Sequence, residues 1–241
     1  MSLTCHLKGV YKSYGGRTIL EPSDFYFPPG KITCIIGPNG SGKSTLLKIA
    51  SYLVKPDGGA VEYDDGGSPV AFGMPLRRRL TCVAQAPLLF NTTLYKNIAY
   101  GLKFRNLSDA EIKARAEEAL ELGGLSHLAG AGAKTLSGGE AQRAAMVRAY
   151  ALQAEVVFLD EPFSNLDPEG GQLMERLTLR MKDEGVAVAL VTHNLFQARR
   201  LSDRVYFLFK GRLIEFGEAD GFFNEPREEL TRQFLSGEMF F

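Results

Sequence analysis

The chain has 241 residues, 45% of them hydrophobic and 23% charged, which is ordinary for a globular protein and excludes disordered, collagen-like and low-complexity classes. Lys plus Arg total 28 and Asp plus Glu total 28, so no basic excess of the kind that marks a nucleic-acid binder is present. No window approaches the roughly 20 consecutive apolar residues of a membrane span, and no apolar N-terminal stretch reads as a secretory signal.

The first third reads as short strands. Lys31–Ile36 is an apolar run that feeds a glycine turn, as a buried parallel strand does. Thr45–Leu53 has helical spacing and ends at Lys55-Pro56-Asp57-Gly58-Gly59. Ala60–Asp64 and Leu80–Ala84 read as further strands, and Arg77, Arg78 and Arg79 between them as a solvated approach to a strand. Cys5, Cys34 and Cys82 are scattered, with no metal-ligand spacing; Cys34 and Cys82 sit among apolar residues and read as buried thiols.

The middle is helical. Ser108 and Glu111 have capping-box spacing, which predicts a helix from there to Leu122, stopped by Gly123-Gly124. A second, alanine-rich helix is predicted over Ala141–Gln153. The last third alternates: strand Val156–Leu159, helix Gly171–Asp183, strand Val186–Val191, helix Asn194–Leu201, then a hairpin of Val205–Phe209 and Arg212–Phe216 around Lys210-Gly211. Strands alternating with helices predict a mostly parallel α/β core, with no linker long enough to separate independent domains.

Gly37-Pro38-Asn39-Gly40-Ser41-Gly42-Lys43-Ser44-Thr45 matches G-x-x-x-x-G-K-[ST], with a strand before it and a helix after it. Glycines let the backbone fold around an anion, and the N–H groups at the start of the next helix point at phosphate oxygens. Lys43 can reach the β- and γ-phosphates and the Ser44 hydroxyl can ligate Mg²⁺. Val156–Leu159 runs into Asp160-Glu161, and ligands of parallel sheets bind at the carboxyl ends of strands. Asp160 is therefore placed to hold Mg²⁺, and Glu161 to take a proton from attacking water.

Ser137, Gly138 and Gly139 make a second phosphate cradle ahead of the alanine-rich helix. One nucleotide within one chain hardly needs two cradles. Two chains arranged head to tail with C₂ symmetry would use both.

With these residues in place, the sequence resembles the ATP-binding-cassette ATPases over nearly its whole length. Leu136-Ser137-Gly138-Gly139-Glu140 is similar to that family's signature motif, a highly specific mark beside the phosphate loop. The resemblance implies a P-loop NTPase core with a mostly parallel sheet, an N-terminal antiparallel β subdomain and a small helical subdomain at about 88–150, all in one ATPase domain over 1–241. It assigns Tyr14 to stacking on adenine. It makes Gln85 the residue that senses Mg²⁺ and water, Asp167 a member of the loop that crosses the dimer, and His193 the switch histidine at the γ-phosphate. Asn165 and Ala141 depart from the family's usual alanine and glutamine, and neither removes a group that the chemistry needs.

ATP and Mg²⁺ are the implied cofactors. The implied partners are a second copy of the chain, membrane permease subunits and, through the permease, a solute-binding protein, which places the chain on the cytoplasmic face of the membrane. Leu88, Leu89, Phe90 and Leu94 stand where the family receives the permease. The stretches His193–Asp203, Leu213–Gly217 and Phe234–Met239 resemble the phosphate and tungstate importer ATPases. The alternative is a soluble ATPase of a non-transport assembly, such as an iron–sulfur scaffold complex or a nucleic-acid or translation factor.

Overall fold

The computed structural model describes residues 3–238; Met239 lies outside them. Two sheets organise the chain. The first is antiparallel, built from β1 (Leu3–Tyr14), β2 (Arg17–Phe27), β4 (Gly58–Asp65) and β5 (Ser68–Pro69) in the order β2-β1-β4-β5. The second contains β3 (Ile32–Ile36), β6 (Leu80–Val83), β7 (Val156–Asp160), β8 (Ala187–Val191), β9 (Arg204–Phe209) and β10 (Arg212–Glu218). Its order is β10-β9-β3-β8-β7-β6, parallel except for the β9–β10 hairpin. An antiparallel sheet thus stands beside a mostly parallel one, as expected from the sequence. The first two strands are long, 12 and 11 residues, rather than short.

β3, β7 and β8 are buried at every position, as their largely apolar runs require. Their residues alternate between two cores because strand side chains alternate faces. Val156 and Phe158 of β7 face the antiparallel sheet, where the Phe158 and Phe27 rings meet edge to face at 6.2 Å. Val157 and Leu159 face the helical side.

The helices are α1 (Lys43–Ala50), α2 (Met74–Arg77), α3 (Leu94–Leu102), α4 (Asp109–Leu122), α5 (Gly138–Ala151), α6 (Pro168–Asp183), α7 (Leu195–Leu201), α8 (Ala219–Asn224) and α9 (Glu229–Ser236). The Ser108–Glu111 capping box forms as its spacing predicts. α5 begins three residues before the predicted Ala141, because Ser137 and Glu140 form a second capping box with the same S-x-x-E signal. α1 stops short of Leu53, and Tyr52 takes a left-handed conformation (φ 56°) beyond its end.

The arginine run is not simply solvated. Arg77 ends α2, while Arg79 is half-buried and grips Glu155 through Nε (2.5 Å) and Nη2 (2.7 Å), with Nη2 also 2.7 Å from Asp65. Cys34 is fully buried and Cys82 half-buried, and burial pushes their thiols up to about 12 and about 11.

Strand register positions the site. Ile35 of β3 and Asp160 of β7 both pair with Val191 of β8, so three strands end at one level. The residues that follow them, Gly37 onward, Glu161 and His193, emerge together at the carboxyl edge of the sheet.

Candidate functional site

The loop after β3 closes on α1. Gly42, at φ 99°, is the N-cap and supplies no side-chain cap, so the first N–H groups of the helix stay open. A Cβ there would sit 2.6 Å from the Ile19 carbonyl oxygen, so only glycine lets β2 approach this closely. Lys43 folds back over the loop, its ammonium donating to the carbonyls of Gly37 and Pro38 at 2.8 Å each. Burial lowers its pKa, opposed by the nearby Glu161 and Asp160 carboxylates.

Ser44 Oγ donates to Asp160 Oδ1 at 3.0 Å, although the two are 116 positions apart. Burial raises the Asp160 pKa, against the opposing effects of Ser44, Lys48 and Lys43. Glu161 is buried and holds a left-handed backbone (φ 51°), a conformation that costs about 1–3 kcal/mol for a non-glycine residue. The surroundings enforce it: its N–H donates to Val191 O (3.0 Å), and its carbonyl accepts from Ser164 N (3.2 Å) and Ser164 Oγ (2.8 Å). Its Oε2 lies 2.5 Å from His193 Nδ1. The His193 ring is 67% exposed, but its backbone is pinned by the residues on either side. Thr192 Oγ1 accepts from Asn194 N, and Asn194 Oδ1 caps α7.

A cavity of about 350 Å³ opens over the loop, lined by Asn39–Thr45, Gln85, Glu161, Arg17, Ile19 and Val191. Gly37 and Pro38 line an adjoining cavity of about 700 Å³, which His193 also borders. The structure thus gathers the loop, Gln85, Asp160, Glu161 and His193. It does not bring Tyr14, Ser137, Gly138, Gly139 or Asp167 to the walls of either cavity. Tyr14 is exposed, with the Lys12 ammonium 5.1 Å from its ring centroid. Ser137 caps α5, and Asp167 caps α6 by accepting from Gly170 N at 2.8 Å. Asn165 is left-handed at φ 63°, a conformation that asparagine tolerates better than alanine.

Sequence reasoning misses three of these features. The caps at Ser137 and Asp167 have readable signals, S-x-x-E and D-P. Arg17 on the cavity wall has no local signal.

The residues present suit a magnesium nucleotide. Ser41 Oγ is buried without a partner inside the loop, α1 starts uncapped, and Ser44 with Asp160 offers two hard oxygen donors. Mg²⁺ takes few protein ligands and fills its shell with water and phosphate oxygens, so such a pair is sufficient.

Fold and site together define a P-loop nucleotide-binding ATPase. A family model described as ABC transporter matches residues 20–164. The chain is 37% identical over 242 residues to a "Probable anion import ATP-binding protein" of Haloferax volcanii, covering 94% of this chain and 84% of that protein. It is 41% identical over 218 residues to the "Tungstate uptake system ATP-binding protein TupC" of Peptoclostridium acidaminophilum, covering 90% and 98%. A solved structure titled "Structure of ATP binding subunit of ABC transporter" superposes with a TM-score of 0.84 at 27% identity, covering 98% of this chain and 99% of that one. The chain belongs to the ABC transporter family, as an ATP-binding subunit with ATPase activity. Among the described residues no helix is long and apolar enough to cross a membrane.

Proposed function

We propose that this chain is the ATP-hydrolysing subunit of a membrane importer for an oxyanion, tungstate foremost with phosphate or molybdate beside it. One observation carries the catalytic assignment: the Ser44–Asp160 and Glu161–His193 pairs stand side by side where three parallel strands end. Lys43, Ser44 and the open N–H groups hold the phosphates. Glu161 accepts a proton from the attacking water, and His193 fixes the carboxylate that does so. Gln85 orients the water from the far wall of the cavity. Ser44 and Asp160 would hold Mg²⁺, which neutralises developing charge on the phosphates when bound.

The cradle of Ser137, Gly138 and Gly139 faces neither cavity of its own chain, which supports a homodimer closing around two ATP, with Asp167 at the crossing. Tyr14 stacks on adenine in this reading. Closure does work because ATP binds the closed state better than the open one. Leu88 and Phe90 are 79% and 52% exposed and form the surface offered to a permease, whereas Leu94 is buried in the core. The cargo follows from the relatives' names, since the cargo itself would be met by a permease and a solute-binding protein. The chain then works on the cytoplasmic side of the membrane, with the helical segment 88–150 as its permease-facing subdomain and no nucleic-acid partner.

The test is affinity capture of the Glu161→Gln chain with ATP from detergent-solubilised source cells, with the bound proteins identified by mass spectrometry. A multi-spanning permease, with a solute-binding partner that binds tungstate, is the expected result. A soluble scaffold or ribosomal partner would overturn the transport assignment and leave the ATPase chemistry intact.

A further inference from the structure

Two cations line the nucleotide cavity, Lys43 and Arg17. Lys43 is already engaged with two loop carbonyls. Arg17 is exposed, and its guanidinium has no ionic or hydrogen-bond partner among the described residues. It also borders the adjoining cavity, which shares Asn39, Gly40 and Ser41 of the loop.

Its position is built rather than incidental. β1 and β2 are joined through Gly15 (φ 55°) and Gly16 (φ 79°), two left-handed residues that form the tight turn whose twist suits a hairpin. Tyr14 and Arg17 close that turn as opposed residues. Two residues on, Ile19 is the extra residue where β2 bulges against β1, between the Ser13–Thr18 and Lys12–Leu20 pairs. The Ile19 carbonyl lies where a Cβ at Gly42 would be 2.6 Å away and one at Gly211 2.9 Å away. Glu21 N–H donates to Gly211 O at 2.8 Å and locks the strand beyond. The start of β2 is thus fixed against the phosphate loop, and Arg17 with it.

Charge gives this placement a purpose. The cavity already contains the Glu161 carboxylate, with Asp160 beneath it, and both act on Lys43. A triphosphate adds several negative charges, which Lys43 and the open N–H groups of α1 counter from the loop and which Arg17 can counter from β2. A guanidinium forms paired hydrogen bonds to phosphate oxygens and stays charged at every working pH.

We propose that Arg17 is a nucleotide-contacting residue that binds the phosphate chain of ATP. The proposal rests on the reading of residues 37–45 as the phosphate loop. It makes the β1–β2 hairpin supply a charge as well as an adenine-stacking ring.

The experiment measures dissociation constants for ATP, ADP and adenosine by competition with a labelled nucleotide, at low and high salt. The variants are Arg17→Gln, Arg17→Lys and, as a control on the loop, Lys43→Ala. Arg17→Gln is expected to weaken ATP binding about tenfold, the scale of one lost charged hydrogen-bonded contact, and to flatten the salt dependence. ADP should lose less and adenosine nothing, and Arg17→Lys should recover some of the loss. Equal loss for ATP and adenosine, or an unchanged ATP constant, overturns the assignment. Lys43→Ala separates the two failures: an ATP constant unmoved by Lys43→Ala refutes the loop itself, while loss there without loss at Arg17 refutes Arg17 alone.

Discussion

His193 Nδ1 stands 2.5 Å from Glu161 Oε2, so the histidine at the end of one strand holds the carboxylate at the end of the next. The backbone strain at Glu161 gives the contact a rationale. Glu161 is held left-handed (φ 51°) directly after β7, and from there its carboxylate reaches His193 beyond the end of β8. The carboxylate is buried and the imidazole exposed, so the pair joins the interior of the site to its open side.

Glu161→Gln should preserve nucleotide affinity and the fold while lowering turnover by about 10²- to 10⁴-fold, the usual contribution of a general base. Phosphate release and ATP-dependent dimerisation in sedimentation would be measured together. Dimer trapped by ATP is expected; normal turnover would refute the base assignment.

Ser137→Arg should block closure of two chains around ATP yet spare ATP binding by one chain. Ser137 also caps α5, so the substitution carries a stability cost of about 1 kcal/mol. Ser137→Ala removes the same cap without the bulk, and it should melt at about the same temperature as Ser137→Arg but still dimerise. If both variants lose the dimer alike, the cap rather than the cradle is responsible.

Asp203 ties β3 to α6 by accepting from Ile32 N (2.9 Å) and Lys182 Nζ (2.8 Å), with Lys31 Nζ 3.5 Å away. Burial alone would raise its pKa, but Lys182, the Ile32 N–H and Lys31 together outweigh burial and hold it below the usual aspartate value. A depressed carboxylate contributes stability that is fully present above its unfolded value and is lost as pH falls through its folded value. Wild-type melting temperature should therefore drop as pH falls below about 4, and Asp203→Asn should melt lower at neutral pH with a shallower acid limb. Parallel acid limbs for the two proteins would refute the linkage.

Arg79→Met should destabilise the fold by about 2 kcal/mol in urea unfolding, because it leaves the Glu155 carboxylate half-buried without its bidentate partner. The Arg79 carbonyl also receives Glu155 N (2.8 Å) and Val156 N (3.2 Å), contacts that the substitution retains. ATP affinity should not change, since Arg79 lines neither nucleotide cavity.

Much of this is legible in the sequence because the signals are local. A short, largely apolar run before a glycine specifies a buried strand, and Ser108 with Glu111 specifies a helix start, whatever surrounds them. The phosphate loop carries its own backbone chemistry in nine residues. The hairpin at Lys210-Gly211 is readable too, and both residues are left-handed as such a turn requires. The reading fails where a local pattern has two meanings. Three arginines in a row look solvated until Asp65 at the end of β4 and Glu155 just before β7 meet Arg79. The Ser137 motif looks like a phosphate cradle alone, although its glutamate three residues on also spells a cap.

Residue order alone says which groups can do phosphate chemistry: a cradle of N–H groups with a lysine, a hydroxyl, two adjacent acids and a histidine. These follow from residue type and short spacing, which fix conformation over one strand or one helical turn. Which of them come together is set by the folded chain. Ser44 meets Asp160 across 116 positions and His193 meets Glu161 across 32, because parallel register brings three strand ends level. It also set Arg17 on the cavity wall, through the close approach of Ile19 to two glycines far apart in the chain. Such placements depend on long-range packing, which no local pattern encodes.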